Sequence, residues 1–232
     1  MKKRRLLSLF LSFALLLPLF SLTNASAYED FVLDAKAGLL IEADSGEILY
    51  EKNAHQENYP ASLTKVMVAL LVFEAINEGK MSLTDSVTAS ETAFNGLSSD
   101  GSTANIVPGE TMTVEQLLNC MLIVSANEAC NILGEALYGS VDAFVARMNE
   151  RASELGCEHT HFANATGLHD PQHYTTAWDL YLITREAMKH AMTSRSAMPP
   201  TGPVPVRSYS RPMTNGSTGP ASFGMTMATT MA

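Results

Sequence analysis

The run Tyr59-Pro60-Ala61-Ser62-Leu63-Thr64-Lys65, leading straight into VMVALLVFEAINEG, constrains this chain more than any other stretch. Leu63, Val66, Met67, Val68, Leu70, Leu71, Val72, Phe73 and Ile76 leave little polar stripe before Glu74, which predicts a helix buried on most sides. Pro60 suits the first turn of such a helix, and Gly79 supplies a stop. A buried helix therefore begins with a hydroxyl at Ser62 and an amine three residues later. At that spacing the two side chains share a face and can exchange a proton.

The pairing is chemically useful only if the lysine can lose its charge. Moving a lysine from about 10.4 to about 7 disfavours the charged form by roughly 4–5 kcal/mol, which burial and a neighbouring cation can supply. The apolar helix offers the burial. A bare Ser-x-x-Lys is weak on its own: it occurs by chance about once in 200 residues. A capping serine and a snorkelling lysine at a helix start explain most such cases. The surrounding sequence decides between the two readings.

Residues 1–27 read as a secretory signal. Lys2, Lys3, Arg4 and Arg5 form a basic start, LLSLFLSFALLLPLFSL an apolar core, and Ala25-Ser26-Ala27 a small-x-small cleavage site. Removing that segment takes away four cations and no acids, moving the formal charge from −9 to −13. An exported chain this acidic is a poor partner for nucleic acid or an anionic membrane surface. Cys120, Cys130 and Cys157 are odd in number and lack a paired C-x-x-C spacing. One disulfide is allowed, but buried thiols are the expectation.

Further along, GLLIEADSGEILYEK (38–52) places two apolar runs around Asp44-Ser45-Gly46, the pattern of a β-hairpin. Residues 82–107 are polar and small, with Asn95-Gly96 and Asp100-Gly101 as turn signals, and read as an exposed lobe. Thr113 is a plausible cap for a helix continuing through QLLNCMLIV. Ser125-Ala126-Asn127-Glu128 then separates two apolar helices, where side chains can face a cleft. The bland alternative is a capping box between Ser125 and Glu128. VDAFVARMNERASEL (141–155) is amphipathic, and the region after it leads into a helix capped at Thr175 or Thr176. His159, His161, His169 and His173 beside Asp170 lack a paired metal-ligand spacing, so they are expected to be solvent-exposed loop residues, with no metal. Asn164-Ala165-Thr166 is a formal glycosylation sequon.

Taken together, PASLTK with its apolar helix, SAN some sixty residues on, the phrase FANATGLHDPQHYTTAWDL and the hairpin LLIEADSGEILYEK resemble the low-molecular-mass penicillin-binding proteins that act as serine-type D-alanyl-D-alanine carboxypeptidases. The resemblance runs from about Ala35 to His190. It implies an α/β fold, the penicillin-recognising (β-lactamase-like) domain, in which a helical lobe packs on an antiparallel sheet. It also implies that Ser62 attacks the bond between two terminal D-alanines of a peptidoglycan stem peptide. Lys65 would activate Ser62, Ser125 would relay protons, and Asn127 would bind substrate and hold Lys65 neutral. The Ser62 N–H, at a helix start, would serve as an oxyanion donor. β-Lactams would acylate the same serine. No cofactor is implied, and the setting would be the cell envelope, with membrane association in a full-length form.

Family members also carry a Lys-Thr-Gly run, which this sequence lacks; Ser217-Thr218-Gly219 has no cation. Residues 193–232 contain no Leu, Ile, Asp, Glu or Lys, and hold six of the ten prolines. That composition predicts disorder, and its abrupt onset suggests a shifted reading frame near Met192 and a domain incomplete at its C-terminus. The expected organisation is thus a signal peptide (1–27), a partial carboxypeptidase domain (28–192) and a low-complexity tail (193–232). Activity is expected to be impaired without the Lys-Thr-Gly anchor. The alternatives are a class A β-lactamase-like hydrolase and a non-catalytic peptidoglycan- or penicillin-binding remnant.

Overall fold

Met67, Val68, Leu70, Leu71 and Val72 are each at most 1% exposed, so the apolar run forms a helix buried on nearly every side. This helix, α1 (Lys65–Asn77), is the centre of the computed structural model, which describes residues 33–196. Residues 1–27, read above as a signal, lie outside the described residues, as do those beyond Ser196. The last helix runs four residues past the expected tail boundary, to Ser196.

Two strands precede α1, β1 (Gly38–Ile41) and β2 (Ile48–Lys52), paired antiparallel from Gly38 opposite Lys52 to Ile41 opposite Ile48. The hairpin predicted from its two apolar runs is present. Its turn is closed by the Glu42 carboxylate, which accepts from the backbone N–H groups of Asp44 and Ser45 and from the Ser45 hydroxyl. A second small antiparallel pair joins β3 (Ser86–Thr88) to β4 (Thr111–Thr113). Among the described residues each sheet has two strands.

Three of the four helices that follow begin at a side-chain cap. For α2 (Val114–Ile123) Thr113 and Gln116 form a reciprocal capping box. Helix α3 (Asn127–Tyr138) ends at Gly139, whose φ of +79° is the left-handed stop. Ser140 then caps α4 (Val141–Glu154). Thr176, one of the two expected caps, accepts from the Asp179 N–H at the start of α5 (Ala177–Ser196). Helix α5 packs along α1, burying Leu180, Ile183 and Ala187, while Ala177 joins Ala37 and Ala54 beneath the hairpin.

Two expectations need correction here. The 82–107 region is not simply an exposed lobe: Ala89, Ala93, Ala104 and Ile106 are buried in the helical core, because β3 and β4 pin the segment at both ends. His173 is not a solvent-exposed loop residue but is only 2% exposed, because its ring bridges the Ala163 N–H and the Thr64 hydroxyl. All three cysteines are buried free thiols.

Candidate active site

Ser62 lies in a 3-10 turn, Ala61–Thr64, that precedes α1 rather than in the α-helix itself. In a 3-10 turn residues three apart eclipse one another, which brings Ser62 and Lys65 closer into line than an α-helix would. Ser62 is exposed and Lys65 is 3% exposed, so the hydroxyl is reachable while the amine is not. The Lys65 Nζ lies 2.7 Å from the Thr166 carbonyl oxygen, 2.9 Å from Asn127 Oδ1 and 3.2 Å from Ser62 Oγ. Burial pulls this amine below its ordinary value, against the opposing influence of Cys130 and Glu128. The Cys130 thiol, itself pushed up to about 12 by burial, stays protonated.

Ser125 enters the site from the opposite wall. It forms the tight junction between α2 and α3 with φ at +61°, a conformation that costs a non-glycine residue roughly 1–2 kcal/mol. From there its hydroxyl donates to Ser62 Oγ at 2.9 Å. Ala61, immediately before Ser62, also has a positive φ, at +48°. The Ser125–Glu128 capping box does not form: the cap position of α3 is Ala126, without a side-chain bond. Glu128 instead accepts from Thr103 Oγ1 and the Ala104 N–H, both at 2.7 Å, and from the Ile106 N–H at 3.4 Å. That fixes the 101–106 segment beside Asn127, whose N–H donates to Ser102 O at 2.9 Å. A Cβ on Gly101 would sit 2.7 Å from Asn127 Nδ2, so only glycine lets this segment lie so close. Next to Ser125, a polar cavity of about 480 Å³ opens between Val124 and residues 99–105.

All four residues singled out from sequence therefore converge, and two contributors come from a loop read for its histidines, its sequon and its family phrase, with no role given to Thr166 or His173. Thr166 supplies the carbonyl facing Lys65, and His173 braces the turn beneath it. The Ala163 N–H donates to His173 Nδ1 at 3.2 Å, which places the ring proton on Nε2, 2.8 Å from Thr64 Oγ1. Burial lowers His173 to about 4, against a raising influence from Asp170 and with His161 and His169 lowering it further. The signal that could have found this loop was Asn164 ahead of Gly167, an asparagine–glycine turn pattern.

Glu74, Glu186 and His190 bring three ligand-type atoms within 4.8 Å of one another where α1, α4 and α5 meet. Arg151 already supplies the cation there, 2.7 Å from Glu74 and 3.8 Å from Glu186. Asn77 Nδ2 donates to His190 Nδ1, so Nε2 carries the proton and points to Glu186 at 3.3 Å. The cluster is an ion network filled by protein groups.

Residues 23–201 match the family model for Peptidase_S11, D-alanyl-D-alanine carboxypeptidase. The chain is 38% identical over 191 residues to D-alanyl-D-alanine carboxypeptidase DacF of Bacillus subtilis, covering 81% of this chain and 48% of that protein. It is 36% identical over 154 residues to DacA of Escherichia coli, covering 65% of this chain and 38% of that protein. The fold is similar to penicillin binding protein 5 from Haemophilus influenzae, with a TM-score of 0.68 at 32% identity, covering 72% of this chain and 49% of that one. The mixed helical and antiparallel architecture expected from the sequence is the fold of that structure. The chain spans about half or less of the length of these relatives.

Proposed function

This chain belongs to the D-alanyl-D-alanine carboxypeptidase family, and on that premise we propose that it acts on peptidoglycan stem peptides ending in D-Ala-D-Ala, with Ser62 as nucleophile and Lys65 as its base. The observation that carries the reading is the set of three acceptors around the Lys65 amine. As an ammonium, Lys65 can donate one N–H to each. Asn127 Oδ1 and the Thr166 carbonyl can only accept, whereas the Ser62 hydroxyl can also donate. When Lys65 loses a proton, its two remaining N–H bonds stay with the two obligate acceptors. The lone pair then faces Ser62 Oγ.

From that state the reaction follows. Lys65 takes the Ser62 proton as Oγ forms a bond to the carbonyl carbon between the two D-alanines. The Ser62 N–H, in the turn ahead of α1, supports a donor role toward the developing oxyanion. The carbon–nitrogen bond to the terminal D-alanine breaks, and its amine takes a proton passed from Lys65 through Ser125, which bonds Ser62 Oγ. Water then attacks the ester, giving one proton to Lys65 through the same relay, and Lys65 returns that proton to Ser62 Oγ as the acyl–oxygen bond breaks. A β-lactam would acylate Ser62 by the same opening step. Turnover by the 232 residues as they stand is proposed to be slow, since no Lys-Thr-Gly run supplies a cation for the substrate carboxylate. The basic, apolar and small-x-small pattern of residues 1–27 supports export to the cell envelope.

Two measurements test this reading. Intact-mass analysis after incubation with a penicillin should show one adduct, mapping to Ser62. An acyl-D-Ala-D-Ala peptide should release D-alanine, abolished by Ser62→Ala. Penicillin hydrolysis faster than peptide hydrolysis would instead favour a β-lactamase, and an adduct without D-alanine release a binding remnant.

A further inference from the structure

We propose that Asn164 is a positioning residue for Lys65, fixing the Thr166 carbonyl against the amine; this rests on the reading of Lys65 as the base. At 2.7 Å the Thr166 carbonyl is the shortest of the three Lys65 contacts, yet it lies five residues beyond the isolated His161–Tyr174 bridge that closes its loop, in no strand of its own. The constraint comes from one side chain. Asn164 Oδ1 accepts from the Thr166 N–H at 3.1 Å, the Thr166 hydroxyl at 3.0 Å and the Gly167 N–H at 2.8 Å. Its Nδ2 donates to the Leu168 carbonyl at 2.9 Å. Four bonds from one amide thus tie down the three residues around the carbonyl that faces Lys65. This is an asparagine turn in which both polar atoms of the side-chain amide are bonded.

The loop also has nowhere to slide. Gly167 has φ at +85°, and a Cβ there would lie 1.8 Å from the Ala61 oxygen and 3.1 Å from the Ser62 nitrogen. The loop therefore sits flush against the turn that carries the nucleophile. Upstream it is pinned again, by Asn149, which bonds both the N–H and the carbonyl of Phe162 at 2.8 Å. The Thr166 hydroxyl is spent inside the loop, bonding Asn164 and accepting from the Leu168 N–H, so Thr166 acts on Lys65 through its main chain. A main-chain carbonyl cannot be deleted by substitution; Asn164 is the side chain through which it can be moved. The formal sequon of the sequence is in this fold a turn whose Nδ2, the atom a glycan would take, is already engaged.

The geometry gives Asn164 a role distinct from general support of the fold. Loosening the turn lets water reach an amine that burial otherwise holds below its ordinary value, and it withdraws one of the two obligate acceptors that aim the lone pair at Ser62. Asn164→Ala removes all four bonds. Asn164→Asp keeps the three accepted ones and loses the donor to Leu168, with an added charge.

Three readouts on the full chain test the proposal: amide hydrogen exchange at Thr166 and Gly167, the Lys65 side-chain titration followed by NMR of specifically labelled lysine, and the rate of Ser62 acylation by a fluorescent penicillin. In Asn164→Ala both amides should exchange at least tenfold faster, Lys65 should titrate closer to an ordinary lysine, and acylation should fall at least tenfold. In Asn164→Asp the amides should stay protected and acylation should partly recover. Faster amide exchange with an unmoved Lys65 titration would overturn the proposal, and so would wild-type acylation by Asn164→Ala. Should the wild-type chain not be acylated at all, the catalytic reading fails, while the exchange and titration measurements still decide the role of Asn164. If Asn164→Ala does not fold, Asn164→Ser, which keeps one shorter acceptor, carries the same test with a smaller expected shift.

Discussion

Replacing His173 with glutamine should remove a specific acid sensitivity from the folded chain. The imidazole is 2% exposed and accepts from the Ala163 N–H through Nδ1, a bond that requires the neutral ring. Protonation would set a second N–H against the first and bury a cation with no carboxylate bonded to it. Its folded value is about 4, against 6.5 for a free histidine. A depressed folded value means that the stabilisation is present above 6.5 and is lost as the pH falls toward 4, because the unfolded chain takes up the proton first. The gap corresponds to about 3 kcal/mol by pH 4, or roughly 6–12 °C in Tm for a domain of this size. Urea unfolding of wild type and His173→Gln between pH 8 and pH 4 isolates the effect, since Asp170, His161, His169 and the carboxylates elsewhere are common to both proteins. The variant should be less stable at pH 8, and the difference should shrink by about 3 kcal/mol on acidification. A difference that stays flat across that range would refute the argument.

Other outcomes follow from the same geometry. Lys65→Ala should lower Ser62 acylation by about 100- to 10,000-fold, and the wild-type rate should rise with pH through a value below the ordinary 10.5 of lysine, read as adduct formation over a pH series. Gly167→Ala should destabilise by more than about 2 kcal/mol, since both its φ and the Ala61 oxygen exclude a Cβ; the urea midpoint reports this. Arg151→Met should cost roughly 2 kcal/mol in thermal or urea unfolding by leaving the partly buried Glu74 without its guanidinium, while Glu186 keeps Lys189 at 2.8 Å.

The hydroxyl and amine at the start of α1 were legible because their spacing and the apolar run behind them are local properties. The hairpin, the Thr113 cap and the amphipathic α4 were legible for the same reason, since turn residues, capping pairs and helical periodicity are written within a few residues of where they act. The Ser125–Glu128 capping box failed because a local pattern competed with a distant one: backbone N–H groups from the 101–106 segment take the Glu128 carboxylate. His173 was misjudged similarly, since the Thr64 hydroxyl that receives its ring proton lies 109 residues away in sequence.

By itself, the sequence determined which groups could do chemistry: a serine and lysine in register, a second serine and an asparagine between two helices, and the family phrases that link them. Only the tertiary structure decided how many acceptors surround the Lys65 amine. Two of them, Asn127 Oδ1 and the Thr166 carbonyl, arrive from 62 and 101 residues away. A main-chain carbonyl carries no side-chain signature, and its direction is set by an asparagine turn pressed against a glycine-sized gap. Whether a buried lysine can give up its proton depends on that enclosure, and enclosure is a property of packing between distant segments.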